Sequence, residues 1–97
     1  MNMNQLMQQA QKMQKDMKKA QEEVAAMTFT CKKDLVEVEG TGNKEITKIV
    51  ISKDIESDDI EALEDMILIA VNDVINQADK AMESKLGRYS SMMPGLF

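Results

Sequence analysis

The sequence predicts an α+β protein: a long N-terminal helix, a three-stranded antiparallel meander and a long C-terminal helix. Three observations predict it. Apolar residues recur at alternating steps of three and four up to Met27; the pattern then switches to alternation over 28–52; and helical spacing returns from Ser57 to Leu86 without a Gly or Pro. One domain spans 1–97, with an arm at 1–27, a meander at 28–52, a dimer-core helix at 57–86 and a flexible tail at 88–97.

In the arm the apolar positions are Met3, Leu6, Ala10, Met13, Met17, Ala20, Val24 and Met27. Such a seam is one narrow stripe on a helix, suited to a helix-to-helix contact rather than to a wide globular core. The intervening Gln, Lys and Glu are good helix formers. At 1.5 Å per residue the arm is about 40 Å long, and it needs a surface to lie against.

Thr28-Phe29-Thr30-Cys31-Lys32 alternates, Lys33-Asp34 makes a short turn, and Leu35 to Glu39 alternates again with Val36 and Val38 on one face. Gly40-Thr41-Gly42-Asn43 is turn chemistry. Ile46 to Ser52 is a third β-rich run whose inward face the pattern leaves open, because Ile49-Val50-Ile51 is apolar on both sides. Ser57-Asp58-Asp59 then caps the second helix, with capping-box spacing between Asp58 and Glu61. Its main stripe is Ile60, Leu63, Ile67, Ala70, Val74, Ala78 and Ala81, widened by Met66, Leu68, Ile69, Val71 and Ile75. Gly87 is placed as its stop.

A helix apolar nearly all round is enclosed on more than one side, and one small meander covers a single side. The expected cover is a second copy of the chain, with Met66, Ile67, Ile69, Ala70, Val71 and Val74 as interface candidates. The lone Cys31 excludes an internal disulfide and the lack of His excludes an ordinary zinc set. Asp54, Glu56, Asp58 and Asp65 loosely imitate a calcium loop, but Asp59 occupies the position where that loop turns on Gly, so helix capping explains the acids better. No nucleophile–base pair or phosphate loop is present, so neither an enzyme nor a cofactor is expected. With no signal peptide and no apolar run long enough to span a bilayer, the expected location is cytoplasmic.

The net charge of −5 hides an asymmetry. Residues 1–20 hold Lys12, Lys15, Lys18 and Lys19 against Asp16 alone, a net +3, while the rest carries −8. A basic arm on an acidic body hints at a polyanion as partner.

The ordered set of Leu6-Met7-Gln8-Gln9-Ala10-Gln11-Lys12-Met13-Gln14, Gln21-Glu22-Glu23-Val24, Leu35-Val36-Glu37-Val38-Glu39-Gly40, Leu63-Glu64-Asp65-Met66, Ala70-Val71-Asn72-Asp73-Val74 and Met93-Pro94-Gly95-Leu96-Phe97 resembles the YbaB/EbfC family of small bacterial nucleoid-associated proteins. The resemblance implies a tweezer-like homodimer that binds double-stranded DNA in the nucleoid through its arms. It puts Lys12, Lys15, Lys18 and Lys19 on phosphates, with Lys80, Lys85 and Arg88 as a second group. Some relatives carry a glycine-rich segment before the arm and a more basic tail, so weaker DNA affinity than theirs is the expectation from these residues. On an unassigned helix an outward lysine face is more often plain solvation, and the acidic run from Asp54 to Asp65 would repel DNA unless turned away from it. The rival reading is a protein-interaction adaptor that docks through the Met-rich arm, with no direct DNA contact.

Overall fold

The computed structural model describes residues 2–92, in the order α1 (Met3–Ala25), β1 (Thr28–Lys33), β2 (Val36–Thr41), β3 (Ile46–Ile51), a single 3₁₀ turn (Ser57–Asp59) and α2 (Ile60–Met92). The expected order of elements holds. The molecule is a rod of 70 × 19 × 13 Å, because α2 is far longer than the sheet it crosses.

Asn2 caps α1, its side-chain oxygen accepting from the Gln5 N–H at 2.8 Å. The three strands form an antiparallel meander with β2 central. A two-residue turn joins β1 to β2, and Asp34 takes the left-handed conformation there (φ 38°), which Asp tolerates. In the β2–β3 turn the positive φ falls on Lys44 (65°) rather than on Gly42 or Asn43. Lys44 is held in place by an ion pair with Asp79 of α2.

A register shift resolves which face of β3 points inward. Val36 pairs with Ile51 and Val38 with Ile49, but Gly40 pairs with Ile46, so Thr47 is the extra residue of a bulge. Strict alternation would have turned Thr47 toward α2. With the bulge, Ile46, Ile49 and Ile51 all share the inner face with Val36 and Val38, and the Thr47 hydroxyl donates to the Glu39 carbonyl at 3.3 Å.

The first half of α2 roofs this sheet, burying Leu63, Ala70 and Val74 against Val36 and Val38. It crosses β1 and β2. Gln77 anchors it to the β1 edge by donating to the Thr30 carbonyl at 3.0 Å and to Asp73 at 2.8 Å. Little of α2 lies over β3, so Ile49 and Ile51 remain 45% and 40% exposed on the inner face.

The second half of α2 runs antiparallel to α1. Ala20 packs with Leu86 and Tyr89, supported by Met13, Met17 and Met82. Nearer the sheet, Lys85 reaches Glu23 at 3.1 Å. The seam is therefore covered from Met13 to Val24, while Met3 and Leu6 stay exposed.

Three expectations need correction. The cap of α2 lies one step earlier: the Glu56 N–H donates to the Asp59 carboxylate at 2.9 Å, and a 3₁₀ turn precedes the helix. Gly87 does not stop α2, which continues to Met92, because burial of Leu86 and Tyr89 against α1 outweighs the weak helix preference of one glycine. The flexible tail placed at 88–97 is thus helical over 88–92, and 93–97 lie outside the described residues. Third, Ala70 and Val74 cannot form a subunit interface, since both are fully buried inside the protomer.

Gly42 fixes the joint between these parts. Its N–H donates to the Met27 carbonyl at 3.1 Å. A Cβ there would lie 1.8 Å from the Val24 carbonyl oxygen and 2.5 Å from its carbon. Around Gly87, by contrast, a Cβ meets nothing within 4 Å. The two glycines therefore respond oppositely to alanine. Gly42→Ala forces backbone apart and is expected to cost about 3 kcal/mol or more, whereas Gly87→Ala, in an open helical position, is expected to add about 0.5–1 kcal/mol. Urea unfolding of both variants checks the signs.

Candidate nucleic-acid interface

The arm is a two-helix rod. α1 supplies one rail and the C-terminal half of α2 the other, so both groups of basic residues singled out in the sequence belong to one structure. Lys12, Lys15, Lys18 and Lys19 are all exposed. At 100° per residue their directions center opposite the Met13–Met17–Ala20–Val24 stripe. They form a band along the outer face of the rod, flanked by Gln5 and Gln8.

The second group is divided. Lys85 stands on the same side of the rod as Lys19, and the two line one shallow hollow with Asp16, Glu23 and Tyr89. Its ammonium is paired with Glu23, so part of its charge is already neutralised within the rod. Lys80 is exposed but points away from α1, on the far side of α2 from Met82 and Leu86. The Arg88 side chain is outside the described ones. The structure thus brings Lys12, Lys15, Lys18, Lys19 and Lys85 onto one rod and sets Lys80 apart.

The acidic run is at the other end. Asp54, Glu56, Asp58, Glu61, Glu64 and Asp65 are exposed around the start of α2. From Asp65 and Glu61, about 30 to 36 Å of continuous helix leads to the level of Lys19 and Lys85. With a screening length of about 8–10 Å in physiological salt, the acids barely act on a polyanion laid along the lysines. Sequence alone could not show this, because it gives each charge a position along the chain and none in space.

Among the described residues no cluster of three or more His, Cys, Asp or Glu could hold a metal, and no helix is long and apolar enough to cross a membrane. Cys31 is half-buried on the inner face of β1. Burial pushes its thiol up from the ordinary range, and a hydrogen bond with Asp73 and that carboxylate's charge push the same way. A thiol held protonated is a poor nucleophile. Alkylation of Cys31 in the native protein at pH 8 is expected to be at least about 10-fold slower than in urea, as followed by mass spectrometry.

The class the fold and site define is a small helix–sheet–helix scaffold with a band of exposed lysines along one rod. The sequence matches the YbaB/EbfC DNA-binding family over residues 1–93. It is 43% identical over 97 residues to a nucleoid-associated protein of Streptococcus thermophilus, covering 97% of this chain and 98% of that one. It is 44% identical over the same span and coverage to a nucleoid-associated protein of Lactococcus lactis subsp. cremoris. With one from Ligilactobacillus salivarius it shares 42% over 99 residues, covering 99% of this chain and 95% of the other. The chain belongs to the YbaB/EbfC DNA-binding family.

Proposed function

We propose that this protein is a non-enzymatic, nucleoid-associated DNA-binding protein. It grips duplex DNA as a homodimer through the outer lysine band of its rods, with little sequence preference. The carrying observation is the placement of charge: Lys12, Lys15, Lys18 and Lys19 share the outer face of one rod, and the acidic run from Asp54 to Asp65 lies at the opposite pole, so the acids on the rod itself are Asp16, Glu22, Glu23 and Glu83. Family membership supplies the nature of the polyanion.

Each lysine that neutralises a phosphate releases condensed counterions, so affinity falls with salt in proportion to the number of contacts. Four lysines per rod and two rods per dimer suit moderate binding. Nothing in the band offers a code for base edges, and preference between sequences then arises from how easily the duplex bends. Exposed Gln5 and Gln8 extend the same face with neutral hydrogen-bonding groups suited to phosphate oxygens.

The half-roofed sheet supports the dimer reading. Ile49 and Ile51 lie open beside α2 on the inner face of β3. At 100° per residue, the flank of α2 opposite its Asp73–Gln77 contact with β1 carries Ile67, Val71 and Ile75, with Leu68 (62% exposed) on its outer side. β3 is also an edge strand with unpaired backbone groups. A second copy laid along this flank covers the apolar edge and leaves both rods free. Of the six interface candidates, Ile67 and Val71 keep a place at this contact. Met66 and Ile69 point toward the β1 side, and Ala70 and Val74 are spent in the protomer core.

Two measurements test the reading. In a duplex titration across a salt series, log K is expected to fall linearly with log salt, and Lys12→Gln with Lys19→Gln to lower the slope by about 1 per contact removed. Lys48→Gln, on the outer sheet face, leaves binding as it was. No binding at low salt, or an unchanged slope in the double variant, refutes the lysine band. For the dimer, Ile49→Glu with Leu68→Glu is expected to halve the mass seen by light scattering at micromolar concentration.

A further inference from the structure

The lysine band leaves the methionines of the rod without a role. The α1 stripe presents Met13, Met17 and Ala20 to α2, which answers with Met82, Leu86 and Tyr89. Three of the five side chains larger than Ala in that cluster are thioethers. Ala20, Leu86 and Tyr89 are buried, whereas Met13, Met17 and Met82 are half-buried, so solvent reaches part of each. The sheet-side end of the rod is secured separately, by the approach of Gly42 to Val24 and by the Lys85–Glu23 pair. Beyond that end, α1 and α2 meet through the methionine cluster.

We propose that this seam is an oxidation site, at which hydrogen peroxide converts Met13, Met17 and Met82 to sulfoxides and releases α1 from α2. In each conversion an S–O bond forms and the peroxide O–O bond breaks. The sulfur loses two electrons, and the second peroxide oxygen leaves as water. A soft, apolar sulfur thereby becomes a polar group with a strong acceptor oxygen. The side chains of Ala20 and Leu86 offer that oxygen no donor. A sulfoxide closed inside the seam is unpaired, and the opened rod, where water reaches it, is favoured.

The change is local to the rod. A helix with one narrow apolar stripe draws most of its stability from the partner it lies against, so residues 3–20 fray once the seam opens. The core under the first half of α2 rests on Val36, Val38, Leu63, Ala70 and Val74, with no thioether among its buried members, and stays folded. Lys12, Lys15, Lys18 and Lys19 keep their charges but lose their fixed direction. Weaker DNA binding after oxidation rests on the lysine-band reading; the opening of the rod does not.

The test is amide hydrogen exchange of the full chain, read by mass spectrometry after graded hydrogen peroxide, with the sulfoxide content of each methionine mapped in parallel. In the oxidised wild type, exchange over residues 10–20 is expected to speed up at least about 10-fold. The variant Met13→Leu with Met17→Leu and Met82→Leu keeps side-chain volume and helix preference, and is expected to show no acceleration under the same treatment. It retains Met3, Met7, Met27, Met66 and Cys31, so an effect routed through any of these persists in it. The proposal is overturned if the seam thioethers stay unoxidised when Met3 and Met7 are fully converted. It is overturned equally if their oxidation leaves exchange in α1 unchanged, or if the triple variant responds as the wild type does. DNA is absent from this measurement, so failure of the salt titration above would leave its result standing.

Discussion

The structure depends on one close approach, that of Gly42 to the last turn of α1. There the β2–β3 turn meets backbone with no side chain between, Gly42 against Val24, while Lys44 pairs with Asp79 of α2 on the same turn. Three elements converge within a few residues, where α2 is lined by Ala78 and Ala81. Small side chains let chains approach closely, and close-packed interiors transmit rather than absorb displacement. The joint therefore fixes the direction in which the rod leaves the sheet. A lysine band is useful only if the rod carrying it has a defined direction.

Upstream and downstream of that joint α2 serves two different partners. Its first half meets a flat sheet and needs a broad apolar face, filled by Leu63, Ile67, Ala70 and Val74. Its second half meets a single helix and needs only a stripe, filled by Met82, Leu86 and Tyr89. This division explains why the helix reads as apolar nearly all round in its middle. The excess is not one wide face. It is the sheet-facing set plus a flank beside β3, where one helix is too narrow to roof three strands.

Much of this was legible in the residues and some was not, for physical reasons. The arm was legible because an unbroken three-and-four spacing has one structural solution. The spacing could not show where the cover on that stripe ends, since Met3 and Met17 look alike in sequence and differ only in what lies opposite. The inner face of β3 was hidden because a bulge replaces alternation at Thr47, and a bulge leaves no mark in a run such as Ile46 to Ile51. Gly87 misled because glycine is common just past a helix end, while the packing that overrides it comes from α1, remote in sequence. Ala70 and Val74 were assigned to the wrong side of α2 for a similar reason: the width of an apolar face does not say which edge meets the protomer's own sheet. Of the seven basic residues, the four on α1 share a face for reasons of periodicity alone. The separation of Lys80 from Lys85 needed the position of α1 around α2.

The arrangement of charge carries the functional argument furthest. A chain with net charge −5 is a poor candidate for a polyanion if that charge is treated as a point. Screening makes such treatment wrong for a rod of 70 Å, because each end is many screening lengths from the other. On the proposed reading a duplex laid along the lysines leaves the acidic run from Asp54 to Asp65 at the far pole. Net charge still has work at longer range: acidic bodies repel one another and keep the protein dispersed in dilute solution. That repulsion weakens as salt rises, and so does phosphate binding, so the two effects do not oppose each other. A molecule built this way needs elongation as much as it needs lysines. Shortening α2 between Leu63 and Leu86 would bring the acids within reach of the phosphates and undo the separation, even with every basic residue still in place.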